Sequence, residues 1–336
     1  MKSVAIVVPA RNEEKYIGKC IESVLAQDHP QELISLFICD GKSTDATAAV
    51  VTGYSSRFSN VHLLINEKQS TPYALNLGIR ASDADVVIIL GAHAELDRSY
   101  VSNCLKAFQH DERIGCTGGI IENIYENETA EVIGKAMSSS FGVGNAHFRT
   151  GNKSGFVDTV AFGAYKREVF EKIGCFDEEL IRNQDDEFNY RLTNAGFLVY
   201  LSRDIRSKYY VRASYEKLFR QYYQYGYWKV YVGKKHKAIS TLRQLIPMLF
   251  VLFLFIGAFL SPLHLFIFRA YMGVMVLYLL GAVYFAAQKS SGVAQLPKIV
   301  FAFMILHFSY GTGYLRGIFD FLIMNRSIRT EEKLTR

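Results

Sequence analysis

Charge leaves this chain abruptly. Up to about Arg243 charged, polar and apolar segments alternate, whereas from residue 245 to 322 charges almost vanish. Three apolar stretches fill that block, at roughly 245–260, 263–287 and 296–322, separated by Ser261-Pro262 and by Gln288 to Gln295. About 20 apolar residues let a helix cross a bilayer, so two or three membrane helices fit. A helix buried in a soluble bundle would keep a polar face, and Phe250 to Leu260 has none at any period. The expected division is a soluble domain over 1–235, a membrane domain over 236–325 and a basic tail over 326–336.

The formal net charge is +6. Many of the bases flank the apolar block: Lys229, Lys234, Lys235, Lys237 and Arg243 before it, and Arg326, Arg329, Lys333 and Arg336 after it. Such flanks follow the positive-inside rule and attract anionic headgroups, so they argue for a bilayer rather than nucleic acid as partner. Three full spans would put the two basic flanks on opposite sides, so one stretch is expected to lie along the interface or to re-enter. The five cysteines are scattered and form no Cys-x-x-Cys pair, which argues against a zinc site or disulfide framework and fits a reducing compartment. The apolar run from Val4 to Val8 is too short for a signal peptide and reads as a strand.

Before the block, strand and helix patterns alternate. Val4 to Val8, Leu33 to Cys39, Val61 to Asn66 and Val86 to Leu90 read as strands. Asn12 to Gln27, Asp45 to Tyr54 and Tyr73 to Ala81 read as helices. Strands apolar on both faces, alternating with helices, predict an α/β fold with a mostly parallel sheet. Ligands then bind where the strands end at their carboxyl termini. The loops there carry Pro9 to Glu13, Asp40 to Asp45, Lys68 to Asn76, and Gly91-Ala92-His93-Ala94-Glu95. Gly41-Lys42-Ser43 is no phosphate-cradling P-loop, because Leu36 stands where the first glycine belongs. No Gly-x-Gly-x-x-Gly follows the first strand, which excludes a Rossmann dinucleotide site.

Several stretches in order resemble the family 2 glycosyltransferases, which have a GT-A fold. They are Pro9-Ala10-Arg11-Asn12-Glu13, Asp40-Gly41-x-Ser43-x-Asp45, Ala74-Leu75-Asn76-x-Gly78 and Gly163-Ala164-Tyr165-x-Arg167. Phe176-Asp177-Glu178-Glu179, Asn183 to Arg191 and Gln221-Tyr222-x-x-Tyr225-Gly226-x-Trp228-Lys229 continue the match over about residues 3 to 230. The last three stretches, with His93, are most similar to the succinoglycan-biosynthesis ExoA-type glucosyltransferases.

The resemblance implies that Pro9, Arg11, Glu13, Asp40, Lys68, Asn76 and Ala92 meet a nucleotide sugar. Asp40 would accept a hydrogen bond from the uracil N3–H of a UDP-sugar, although an Asx-turn uses the same Asp-Gly pair. Glu13 would contact the nucleoside, or serve as a first-turn charge on its helix. Lys68 would meet the diphosphate. Relatives carry Asp-x-Asp after the fourth strand to hold a divalent ion. Here the triplet is Gly91-Ala92-His93, so His93 takes the metal-contacting position, with Glu95 or Asp97 as partners. Imidazole suits Mn²⁺ better than Mg²⁺.

By the same resemblance Asp185 is the base that deprotonates the acceptor hydroxyl, with Asp186 and Glu187 crowding negative charge beside it to raise its proton affinity. These acids also suit a helix start. Gln221, Tyr225 and Trp228 match acceptor-binding positions, though an interfacial aromatic belt would use the same rings. Asp158 falls in a segment that resembles the acceptor side. The implied activity is inverting transfer of a hexose, glucose from UDP-glucose, onto a polyprenyl-diphosphate-linked saccharide in exopolysaccharide synthesis. The enzyme would sit in the cell inner membrane with its catalytic domain cytoplasmic. A processive synthase would want more helices, and an inactive scaffold is the reading from outside the enzyme class.

Overall fold

The computed structural model describes residues 1–144, 146–151, 154–211, 213–237 and 242–326, with the side chains of 242 and 243 excepted. Of the flanking bases named above, Arg329, Lys333, Arg336 and the side chain of Arg243 lie outside the described residues. Packing divides the chain into two compact units. Among the described residues one comprises Met1–Asn123 with His147–Tyr210, the other Ile124–Ala146 with those from Val211 to Arg326.

The first unit opens β1 (Val4–Ala10), α1 (Ile17–Leu25), β2 (Ile34–Asp40), α2 (Thr47–Ser55), β3 (Val61–Ile65), α3 (Thr71–Arg80), β4 (Val86–Ile89). β1 lies parallel between β2 and β4, and β3 runs parallel on the outside of β2. Val4 to Val8 are essentially fully buried because helices cover both faces of the sheet. α1 begins at Ile17, later than the apolar spacing predicts. Residues 12–14 are drawn off to bond the neighbouring loop instead.

The chain continues through β5 (Ala94–Leu96), α4 (Tyr100–Ala107) and β6 (Ile114–Ile124), then α5 (Glu128–Met137) and α6 (Ser140–Val143) of the second unit. α7 (His147–Thr150), β7 (Gly155–Phe156), β8 (Ala161–Lys166), α8 (Arg167–Ile173), α9 (Gln184–Asn194) and β9 (Leu198–Tyr210) complete the first. The sheet order is β3-β2-β1-β4-β8-β6-β9-β5, with β7 paired to β9. β8 runs antiparallel to β4 and to β6. The parallel half agrees with the sequence reading, and a mixed half that it did not reach completes the sheet.

The second unit is helical. α10 (Tyr215–His236), whose first turn is capped by Ser214, is followed by α11 (Ile246–Leu260), α12 (Leu265–Lys289) and α13 (Leu296–Gly317). A π-helical turn, Ile318–Ile323, ends the last. Among the described residues three segments are long and apolar enough to cross a membrane: Ile246–Leu263, Leu265–Lys289 and Val293–Ile323. The sequence reading cut the chain at 235, a few residues before charge thins out. By packing, α10 and residues 124–146 go with the apolar helices. Glycine makes that packing close. A Cβ on Gly226 would stand 2.1 Å from the Tyr310 carbonyl oxygen, and one on Gly313 2.0 Å from that of Tyr223. Without those atoms the backbones of α10 and α13 touch. Asp320, buried in the π turn, takes hydrogen bonds on Oδ2 from Arg316 (2.8 Å) and the Tyr227 hydroxyl (3.2 Å), while its Oδ1 has no hydrogen bond among the described residues and faces the charge of Arg326 at 3.2 Å.

Candidate active site

The parallel register fixes where the chemistry collects. Ala10 pairs with Asp40 and Asp40 with Ile65, while Val7 pairs with Ile89, so the loops after β1, β2, β3 and β4 leave one sheet edge. β8 runs the other way beside β4, which brings its start to the same edge. Thr159, just before β8, accepts a hydrogen bond from the Asn189 amide (3.1 Å), tying α9 to that edge one turn below Asp185. Asn12, Lys42, Gln69, Phe162 and Asn183 have left-handed backbones (φ 49° to 62°) and all border these loops. Backbone strain of this kind collects at functional sites.

The first two loops are stitched together. The Ser43 hydroxyl accepts from Asn12 N (2.9 Å), and the Asn12 side chain accepts from Thr44 N (2.8 Å). Glu13 N donates to the Thr47 hydroxyl at 2.8 Å and Ala46 N to the Glu14 carboxylate at 2.9 Å. Asp40, only 2% exposed, accepts from both the amide and the hydroxyl of Ser43. That is the turn geometry allowed for above. Each carboxylate oxygen keeps a second lone pair.

His93 follows β4, with its Nδ1 3.4 Å from the Glu13 carboxylate, both side chains less than a fifth exposed. Its ring meets that of Tyr209 at 5.0 Å. Below them the buried Cys20 thiol donates to the Gly91 carbonyl. Burial first, then the charges of Glu13 and Glu95, push its pKa up. The acids expected to assist His93 are engaged elsewhere. Glu95 accepts from the Tyr210 hydroxyl, and Asp97 caps Arg98 N at 2.7 Å. Glu13, from another loop, is the carboxylate that stands beside His93. An imidazole and a carboxylate, largely screened from water, fit a divalent ion that draws its other ligands from phosphate oxygens. Among the described residues no group of three His, Cys, Asp or Glu could hold an ion by itself.

Gly91, where relatives have an acid, lies under an aromatic ring. A Cβ there would stand 3.1 Å from the Phe162 ring, which is held over it by the left-handed backbone at 162 and by the Tyr100 hydroxyl donating to the Phe162 carbonyl (2.6 Å). Pro9, one residue before the end of β1, is partly exposed, Arg11 stands beside Gly41, and Ala92 is buried in the core.

Two expected substrate contacts are turned to other work. Asn76 is 1% exposed; its amide donates to the Phe176 carbonyl (2.8 Å) and to Glu178 (3.0 Å) and accepts from Phe176 N (2.9 Å). It braces the segment leading to α9. Lys68 points at Glu178 (3.8 Å) and over the Tyr73 ring (4.5 Å).

At the start of α9 Asp185 is exposed and Asp186 partly so, whereas Glu187 is buried and paired with Arg191 through two bonds of 2.8 and 3.0 Å. The expected crowding of three acids is thereby reduced to two. Asp158, exposed, precedes Thr159 at the same edge. Gln221, Tyr225 and Trp228 belong to α10 in the second unit. There Gln221 donates to the Tyr225 hydroxyl (2.8 Å) and Trp228 is buried against Tyr227, Tyr231 and Phe321, so its ring has no free face for a sugar or a headgroup.

The fold is that of the GT-A glycosyltransferases. The mannosyltransferase PcManGT from Pyrobaculum calidifontis, solved in complex with GDP-Man and Mn²⁺, matches 95% of this chain and 88% of its own, with a TM-score of 0.60 at 17% identity. The family model described as glycosyl transferase family 2 matches residues 5–174. A Methanococcus voltae protein named dolichyl N-acetyl-alpha-D-glucosaminyl phosphate 3-beta-D-2,3-diacetamido-2,3-dideoxy-beta-D-glucuronosyltransferase is 36% identical over 233 residues, 67% of this chain and 72% of that protein. Succinoglycan biosynthesis protein ExoA of Rhizobium meliloti (strain 1021) is 27% identical over 95% of this chain and 96% of its own. The chain belongs to glycosyl transferase family 2, and it is a glycosyltransferase.

Proposed function

We propose that this enzyme moves a hexose, glucose from UDP-glucose, with inversion onto a polyprenyl-diphosphate-linked saccharide in exopolysaccharide synthesis. We place it in the cell inner membrane with the catalytic unit on the cytoplasmic side. The observation that carries the reading is the single sheet edge bearing Asp40, the Glu13–His93 pair and the exposed Asp185. A lipid-linked acceptor is supported by the name of one relative, a transferase onto a dolichyl phosphate sugar, and exopolysaccharide synthesis by that of the other, a succinoglycan biosynthesis protein. The apolar helices would keep the enzyme at the surface where such an acceptor resides.

In this reading Asp40, through its remaining lone pairs, and Glu13 border the nucleoside. His93 and Glu13 are the protein ligands of a divalent ion, Mn²⁺ in preference to Mg²⁺ because imidazole is the better partner of the softer ion. The solved archaeal relative contains Mn²⁺ with its sugar nucleotide. When bound, the ion neutralises charge on the diphosphate. Asp185 takes the proton of the acceptor hydroxyl as its oxygen bonds to the anomeric carbon, and the breaking bond leaves its electron pair on the nucleoside diphosphate. Asp158 is the acceptor contact of the first unit in this reading, and Gln221 and Tyr225 match the family's acceptor-binding positions. Tyr225, where processive relatives have arginine, favours one sugar per encounter.

The test is a donor screen for nucleotide release, using the full chain in membranes with a lipid-linked saccharide. Asp185→Asn is expected to bind UDP as the parent does and to lose transfer by at least about a hundredfold. Turnover that survives in this variant would remove Asp185 as the base.

A further inference from the structure

Arg149 lies in α7, a four-residue helix with no periodicity to read. Its guanidinium stands 5.6 Å from the centroid of the Tyr209 ring and 5.5 Å from that of Phe148. The Tyr209 ring is also the one that the His93 imidazole meets. Guanidinium and imidazole thus share one aromatic wall. The Nη1 atom of Arg149 is buried with no hydrogen-bond partner among the described residues. The carboxylates on this side, Glu13 and Glu95, are turned to His93 and Tyr210.

A partly exposed arginine is free to swing its head into water. This one is held between rings with a donor left unmatched, an arrangement that favours an incoming anion over solvent. A planar fork of N–H donors fits phosphate oxygens with two parallel bonds, which a lysine ammonium does not. Lys68, the cation expected from sequence to face the diphosphate, is a largely exposed side chain 3.8 Å from Glu178 and 4.5 Å from the Tyr73 ring centroid, and lacks the planar fork.

We propose that Arg149 binds the diphosphate of the sugar donor and takes up charge as the bond from the anomeric carbon to the phosphate oxygen breaks, its electron pair remaining on that oxygen. The inference rests on the nucleotide-sugar reading above, and it names the cation that serves the leaving group.

Binding of UDP and of uridine to the full chain in detergent, with Mn²⁺ present, tests it by calorimetry. The parent is expected to prefer UDP. Arg149→Ala should weaken UDP by about tenfold to a hundredfold and leave uridine unchanged. Arg149→Lys, which keeps the charge but not the fork, should fall between them and guards against a folding defect in the alanine variant. An unaltered ratio of UDP to uridine affinity in Arg149→Ala would overturn the proposal. So would lost turnover with both affinities intact, which would put the arginine on the acceptor. A parent chain that prefers neither UDP over uridine nor GDP over guanosine would remove the nucleotide-sugar reading and this inference together.

Discussion

An acid at position 91 would have to share its space with the Phe162 ring. The ring cannot easily yield, because the left-handed backbone at 162 and the Tyr100 hydroxyl both fix it. A phenylalanine with positive φ is costly, so the pairing of glycine with phenylalanine acts as a unit. Gly91→Asp is therefore expected to destabilise the protein by about 1–3 kcal/mol through overpacking. Adding Phe162→Ala should recover part of that loss, with a coupling of about 0.5–3 kcal/mol. Thermal unfolding of the two single variants and the double variant checks this; strictly additive effects would show that the two positions are independent. Such coupling is invisible in the sequence, which carries no sign that Phe162 has positive φ. Asp40, His93 and Asp185 could be named from the sequence because they stand in motifs of fixed order, and the fold brings all three to one sheet edge. Glu13 as the partner of His93 could not be named, since it comes from another loop. Arg149 gave no signal at all, for neither periodicity nor a motif marks four residues.

At the scale of elements, burial on both faces made β1 to β4 readable as continuous apolar runs. The mixed half of the sheet hid itself for opposite reasons. β5 is three residues long, β9 carries four charged residues, Arg203, Asp204, Arg206 and Lys208, and β6 contains Gly118 and Gly119, which sequence patterns treat as breakers. The structure explains that pair. A Cβ on Gly119 would fall 1.8 Å from the Ile205 carbonyl oxygen, so the strand passes there only as glycine. Glycine has the same use between α10 and α13. Gly226→Val is expected to force the two backbones apart and cost about 3 kcal/mol, the upper end for overpacking. Gly273→Val is the control, since nothing lies within 4 Å of a Cβ at that position on α12. Thermal stability in detergent should fall for the first variant only. Equal stability of the two would mean that α10 and α13 do not meet as described.

The whole chain is not cut where its composition changes. Charge disappears after α10, and an obvious soluble fragment would end at residue 245. That piece would retain α10 without α13, against which α10 packs through Gly226, and without the π turn whose Phe321 meets Trp228. α5 would be stranded too, because Lys298 bonds Glu128 (2.6 Å) and Lys135 bonds Gln295 (2.8 Å) from the apolar helices. The exposed face would be apolar, aromatic and contiguous, the kind of surface that drives association. A chain of residues 1–245 is therefore expected to elute as aggregates in size-exclusion chromatography without detergent, while the full chain in detergent runs as one sharp species. A monodisperse, folded 1–245 fragment in plain buffer would show that α10 needs none of these partners. The full-length likeness to ExoA fits the first outcome, since the match runs through the apolar helices as well as the sheet. If the fragment does aggregate, the helices act as part of the fold that carries α10, over and above any anchoring to lipid.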